Sequence, residues 1–245
     1  MPIIESEAYV LVRHPLTESS WIVSFFTRSE GVVRGVAKGG RRVKSKFRGA
    51  LEPMSRVRVE LGGREGRDLA TVRRVDPLEN TIDLYSDWSA ASLLMAMAEV
   101  LERGLPEKGR EEDTYRLIGA IMEQVRREMK PSLAWLYFQI WFLRLHGVLP
   151  RPDRCSACGA SLGPASLAMD GFRWLCPSCA SKSGEKRMTI DGTSFDLLGS
   201  ILRFPPEAIA ARDVSRQSLR PLSKIADLVL EDYLGRPIAS SPPNS

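Results

Sequence analysis

Long apolar runs are missing from this chain. The most apolar stretch, Leu133 to Leu145, is broken by Gln139 and Arg144 and is shorter than the roughly 18 residues that span a bilayer. The opening residues, Met1-Pro-Ile-Ile-Glu-Ser-Glu, place no basic run ahead of an apolar one, so no secretory signal and a cytoplasmic location are expected. Histidine is scarce. His14 and His146 stand alone, neither is followed by x-Glu, and Leu175 precedes Cys176, so zinc-protease and zinc-deaminase patterns are excluded. There is no G-x-x-x-x-G-K-[ST], no G-x-G-x-x-G opening a helix after a strand, and no nucleophile elbow. These absences point away from an enzyme. Cysteine is confined to four residues between 155 and 179. A secreted disulfide framework would spread its cysteines through a smaller chain.

Charge is unevenly placed. The 245 residues carry a net charge of +5, yet residues 1–80 hold 15 Lys/Arg against 10 Asp/Glu and the remainder hold 20 of each. The excess lies in the first third, which points to a polyanionic partner there. The preference for arginine, 27 against 8 lysines, suits bidentate phosphate contacts. A GC-rich genome gives the same bias.

The first 80 residues read as all-β. Ala8–Arg13, Ser20–Thr27, Val32–Ala37, Arg56–Leu61 and Asp68–Val75 are strand-like, and Val57, Val59 and Leu61 alternate onto one face. Gly62, Gly63 and Gly66 mark a hairpin turn. Five short strands suit a small barrel of the OB type, and an SH3-like barrel fits the count nearly as well. From Ser86 the period becomes helical. Asp87–Arg103 follows Ser86 as the expected N-cap. Ile118, Ile121, Met122, Val125 and Met129 share one helical face, and Pro131 ends that helix. Leu133–His146 is apolar nearly all round and is expected to be a buried helix. Helical character returns at Thr193–Phe204 and at Leu222–Leu234. The expected fold is α+β and multidomain: an OB-fold barrel over 1–80, an all-α domain over 81–152 and 188–238, a four-cysteine module over 153–187, and a disordered tail over 239–245.

Cys155-Ser-Ala-Cys158 and Cys176-Pro-Ser-Cys179 form C-x2-C-x17-C-x2-C. Two residues between thiolates let one tight turn present both sulfurs at about 2.3 Å from a single ion, and two such turns complete a tetrahedron. Gly159 stands where such a turn often needs positive φ. The favoured reading is one structural Zn2+ on Cys155, Cys158, Cys176 and Cys179. All four ligands are thiolates, whereas a catalytic zinc keeps one position open for water. A redox dithiol and a pair of disulfides are the alternatives.

Residues 31–49 hold seven cations, Arg34, Lys38, Arg41, Arg42, Lys44, Lys46 and Arg48, and no acid lies between Glu30 and Glu52. Barrel loops are a usual place for an oligonucleotide site on an OB-fold. Gly39 and Gly40 let the backbone come close to phosphates. Phe47 either stacks on a base or anchors the loop to the barrel. Trp21, Val23 and Phe25 share one strand face and read as core. A loop that is merely solvated remains the alternative for the charge run.

Gly35-Val-Ala-Lys-Gly-Gly-Arg-Arg followed by Lys44-Ser-Lys-Phe-Arg-Gly-Ala-Leu-Glu-Pro53 resembles the signature of the bacterial RecO family of recombination and repair proteins. Glu18-Ser-Ser, Pro150 leading into Cys155-x-x-Cys-Gly, and Leu234-Gly-Arg-Pro carry the resemblance through the chain in order. The resemblance implies an N-terminal OB-fold, a helical domain and a zinc module that some relatives lack. It also implies a non-enzymatic mediator in the nucleoid that binds single- and double-stranded DNA, anneals complementary strands and, with RecR, helps load RecA onto DNA coated by single-strand-binding protein. The acidic tail of that coating protein would be contacted on the helical domain. The cations Arg34 to Arg48 and Phe47 would face DNA, and the cysteines would hold zinc. A zinc-ribbon protein acting on RNA or the ribosome is the competing class, and no membrane partner is expected.

Overall fold

The computed structural model describes residues 3–47, 49–63, 69–107 and 109–239. Among these, residues 3–116 with 238–239 form one compact unit and 117–237 form a second.

The first unit opens with five strands: β1 (Ile3–Pro15), β2 (Trp21–Thr27), β3 (Gly31–Ala37), β4 (Arg56–Gly62) and β5 (Ala70–Glu79). They close into a barrel in the order β1-β2-β3-β5-β4. Every neighbouring pair is antiparallel except β3 with β5, which runs parallel through Gly35–Ala70 and Val36–Thr71. That one parallel pair and the order are those of an OB-type barrel. β1 does two jobs because it is long. Ile3–Tyr9 pairs with β4, Ala8–Pro15 pairs with β2, and an irregularity between Val10 and Arg13 bends it from one partner to the other. The turn expected at Gly66 and the strand start at Asp68 lie outside the described residues, as does most of the proposed tail.

The barrel interior follows strand alternation. Val57, Val59 and Leu61 of β4 are fully buried, as are Val23 and Phe25 of β2. Full burial of a side chain such as Phe25 contributes about 1.5–3 kcal/mol. The segment after β3 does not leave this core. Phe47, Ala50 and Leu51 belong to the same apolar cluster. Phe26, on the opposite face of β2, is also buried and meets Tyr115, with ring centroids 5.7 Å apart.

Helix α1 (Trp88–Gly104) packs on β1 and β2 through the apolar side that includes Leu93, Leu94, Met97 and Leu101. Its N-cap is Asp87, not Ser86: the Asp87 carboxylate accepts from the Ala90 N–H at 2.7 Å, while the Ser86 hydroxyl donates to the Asp83 carbonyl inside a preceding 3-10 turn. α2 (Glu112–Arg126) contains the boundary between units, and Pro131 starts the next helix instead of ending this one, as proline suits a first helical position.

In the second unit α3 (Pro131–Leu145) is buried nearly all round, with Trp135, Leu136, Phe138, Phe142 and Leu143 at or near zero exposure. Three strands follow, β6 (Ala165–Ala168), β7 (Arg173–Leu175) and β8 (Arg187–Ile190), in the order β7-β6-β8, with α4 (Pro177–Ser183) between β7 and β8. Helices α5 (Gly192–Arg203), α6 (Pro206–Ala210) and α7 (Arg216–Leu234) complete it. α7 begins six residues before the expected stripe, capped by Ser215, and carries Pro221 inside. α3 packs against α5, α6 and α7.

Candidate nucleic-acid interface and metal centre

The residues between β3 and β4 form a run of turns tied at several points. The Gly40 N–H donates to the Ala37 carbonyl at 3.1 Å, Arg42 to Gly39 at 3.1 Å and Ser45 to Arg42 at 2.9 Å. The Arg41 N–H reaches the Ser19 carbonyl at 3.0 Å, and the Arg41 guanidinium donates to the Thr17 carbonyl at 2.7 Å. Both bonds hold the loop against the β1–β2 turn. Phe47 fastens its far end: only 3 % exposed, it sits in the barrel core. The expectation that Phe47 offers a face to a base is corrected by that burial. Two flanking cations made it look exposed, but the ring turns into the barrel, and Lys46 rests its ammonium 4.9 Å from the ring centroid.

Lys38, Arg41, Arg42, Lys44 and Lys46 are exposed. Among the described residues none of the five has a carboxylate within 4.0 Å. Lys46 donates to the Arg73 carbonyl at 2.7 Å, which fixes its head without neutralising it. Arg34 differs. It is on β3, and its guanidinium meets Glu102 at 2.9 Å and Glu107 at 2.6 Å. Ser24 also donates to Glu102 at 2.9 Å. Arg34 is therefore occupied in holding α1 and the residues after it to the barrel. Arg48 lies outside the described residues.

Trp21 reads as core, and it does pack against the barrel core. The ring is half-buried at the barrel rim, with the Arg41 guanidinium 5.0 Å and the Arg13 guanidinium 5.5 Å from its centroid. Arg13 is fixed by a bidentate pair with Glu52, both bonds 2.9 Å. Trp21 opens its strand, and an aromatic at a strand terminus beside a loop was the signal available in the sequence.

The four cysteines converge. Their sulfurs all lie within 4.8 Å of one another, and Cys158 Sγ is 3.8 Å from Cys176 Sγ. Sulfurs at about 2.3 Å from one ion in a tetrahedron stand about 3.8 Å apart, so the donor set fits a single thiophilic ion. The local fold makes this possible. Gly159 takes φ +73° and returns its N–H to the Cys155 carbonyl at 2.8 Å, closing the first knuckle. β7 delivers Cys176 to the start of α4, where Pro177 begins the helix and Cys179 falls in its first turn. Cys155 is buried and joins a small apolar cluster with Ala168, Leu175 and Ala180.

The clustered thiols perturb one another. The Cys176 N–H donates to Cys155 Sγ at 3.3 Å, and this and other N–H groups pull the Cys155 thiol down to about 6. Cys179 is pushed up to about 12, because hydrogen bonds shared with Cys158, Cys176 and Cys155 keep its proton. Four thiols this close cannot all ionise without a cation to offset their repulsion. No helix of the described residues is long and apolar enough to cross a membrane.

Two family descriptions match the chain: "Recombination protein O N terminal" over residues 1–81 and "Recombination protein O C terminal" over residues 85–242. The chain is similar to a DNA repair protein RecO of Koribacter versatilis, 30 % identical over 240 residues that cover 96 % of each protein. A DNA repair protein RecO of Geobacter metallireducens is 30 % identical over 237 residues, covering 96 % of this chain and 94 % of that protein. One of Bifidobacterium longum is 29 % identical across 98 % of each.

Proposed function

The chain belongs to the RecO family of DNA repair and recombination proteins, and from that premise we propose that it is a non-enzymatic mediator whose barrel holds DNA by charge. It binds single- and double-stranded DNA, brings complementary strands together, and with RecR helps RecA onto single strands coated by single-strand-binding protein in the nucleoid. The observation that carries the reading is the loop after β3: Lys38, Arg41, Arg42, Lys44 and Lys46 stand exposed, with no carboxylate neutralising them among the described residues.

Annealing needs no reacting group. Two strands repel, and a protein that neutralises several phosphates on each lowers that barrier until base pairing takes over. A loop fastened at Thr17, Ser19 and Phe47 keeps its cations displayed at small entropic cost when DNA arrives. Residues 1–80 are the DNA-binding domain in this reading. Arg34 takes a supporting part, since its charge is already matched.

Zn2+ is the ion proposed for the four thiolates. Cys155, Cys158, Cys176 and Cys179 would hold it, and it would supply structure there, joining the turn at Cys155–Cys158 to the start of α4 beside Ala168 of β6 and Leu175 of β7. For the acidic tail of single-strand-binding protein, a cavity of about 310 Å³ in the second unit has the right chemistry. Its lining includes Lys130, Arg212 and Arg216, which supply positive charge, Leu133 and Leu219, which are apolar, and Glu128.

The test is strand annealing, with and without single-strand-binding protein, comparing the wild type with Arg41, Arg42 and Lys44→Ala. Loss of annealing in the variant is expected. Unchanged annealing overturns the proposal, as does tighter binding to RNA than to DNA of the same sequence.

A further inference from the structure

Charge alone accounts for phosphates, not for bases, and the barrel rim carries a second kind of surface beside the loop. The register puts Trp21 between Pro15 of β1 and Ala37 of β3, so the ring stands one residue from Lys38, where the cationic loop begins. It packs on the barrel core, and part of its surface remains exposed. The guanidinium groups of Arg13 and Arg41 approach the ring to 5.5 and 5.0 Å, and neither is loose. Arg13 is locked to Glu52 by two bonds, and Arg41 is locked to the Thr17 carbonyl. Gly40 holds the ring from the loop side: a Cβ there would meet Trp21 Cδ1 at 2.8 Å. Guanidinium planes and indole rings both stack on nucleobases, and a fixed stack loses little entropy on binding.

We infer that Trp21, with Arg13 and Arg41, is the base-stacking position for a single strand whose phosphates the loop holds. The inference rests on the DNA-binding reading above. It adds a preference for unpaired bases, because a paired base presents no open face to the ring. Arg41 links the two contacts: its guanidinium is at the ring, and among the described residues no carboxylate competes with a phosphate for its charge.

The experiment uses the full chain with Trp21→Leu and Trp21→Phe, and two probes of equal length: single-stranded oligothymidylate and an abasic deoxyribose-phosphate strand. Affinity is read by fluorescence anisotropy across a salt series, and melting curves confirm folding. Stacking loss of the usual size weakens binding roughly tenfold. Trp21→Leu should weaken oligothymidylate by that factor at every salt concentration without changing the salt slope, leave the abasic strand unaffected, and be largely rescued in Trp21→Phe. Equal weakening on both strands would mean the ring only props the loop and overturns the inference, as does no effect on either. Arg41, Arg42 and Lys44→Ala is the control for the underlying reading. If it leaves both probes unchanged, the DNA site itself has been misplaced, whatever Trp21 does.

Discussion

Replacing Arg41, Arg42 and Lys44 together with alanine removes three of the five exposed cations that, among the described residues of the β3–β4 loop, have no carboxylate partner. Each phosphate neutralised on a single strand contributes about −0.7 to the slope of log affinity against log salt. Five contacts give a slope of about −3.5, and the two that remain give about −1.4. Between 50 and 200 mM salt the wild type should then lose roughly 100-fold in affinity and the variant roughly sevenfold. Arg34→Ala supplies an internal control. Its guanidinium is already matched by Glu102 and Glu107, so removing it should leave the slope where it was while costing stability, because Glu102 is mostly buried and loses the cation that offsets its charge. The assay is anisotropy titration of a labelled single strand at four or five salt concentrations. Equal slopes for wild type and triple variant would refute the reasoning, and so would an Arg34→Ala slope that moves as far as a loop cation's share.

Phe47→Ala should cost about 3–5 kcal/mol in denaturant unfolding, as for a buried aromatic, whereas Phe47→Leu should keep DNA affinity near wild type; a large affinity loss in a stable Phe47→Leu protein would restore the ring's role in stacking. Purified protein should release one zinc ion per chain to a thiol-reactive titrant followed by a metallochromic dye, and Cys158→Ser should lower both zinc content and thermal stability; full-length protein free of zinc with all four cysteines oxidised would contradict this. Glu112 is held down to about 2, first by its hydrogen bond with Arg28 and then by that with Arg110. A carboxyl whose folded value is depressed stabilises the fold above its ordinary value near 4.5, and this stabilisation disappears as pH falls toward 2. Melting temperatures of wild type and Glu112→Gln should therefore differ at pH 6 and converge by pH 2; a constant difference would be evidence against the pair.

Features set by local pattern were readable in the sequence. Alternation in Val57, Val59 and Leu61 identifies β4 and its inward face, the C-x2-C pairs identify the converging thiols, and the apolar surround of Leu133–Leu145 identifies a buried helix. Features set by distant partners were not. Arg34 reads as one more loop cation until folding brings Glu102 of α1 beside it. Phe47 reads equally as a platform or an anchor because its neighbours are charged, and only closure of the barrel gives it a core to enter. The sheet β7-β6-β8 escaped notice because strands of three and four residues leave too few alternations to register. Parallel pairing of β3 with β5 is likewise a long-range event with no local signal.

Where the strand lies is tested most directly by photo-crosslinking. A single-stranded oligonucleotide carrying bromouracil would be irradiated with the full-length protein, digested and mapped by mass spectrometry. The account places the crosslinks in the segment from Lys38 to Lys46 and at Trp21. Crosslinks confined to residues 117–237 would contradict it.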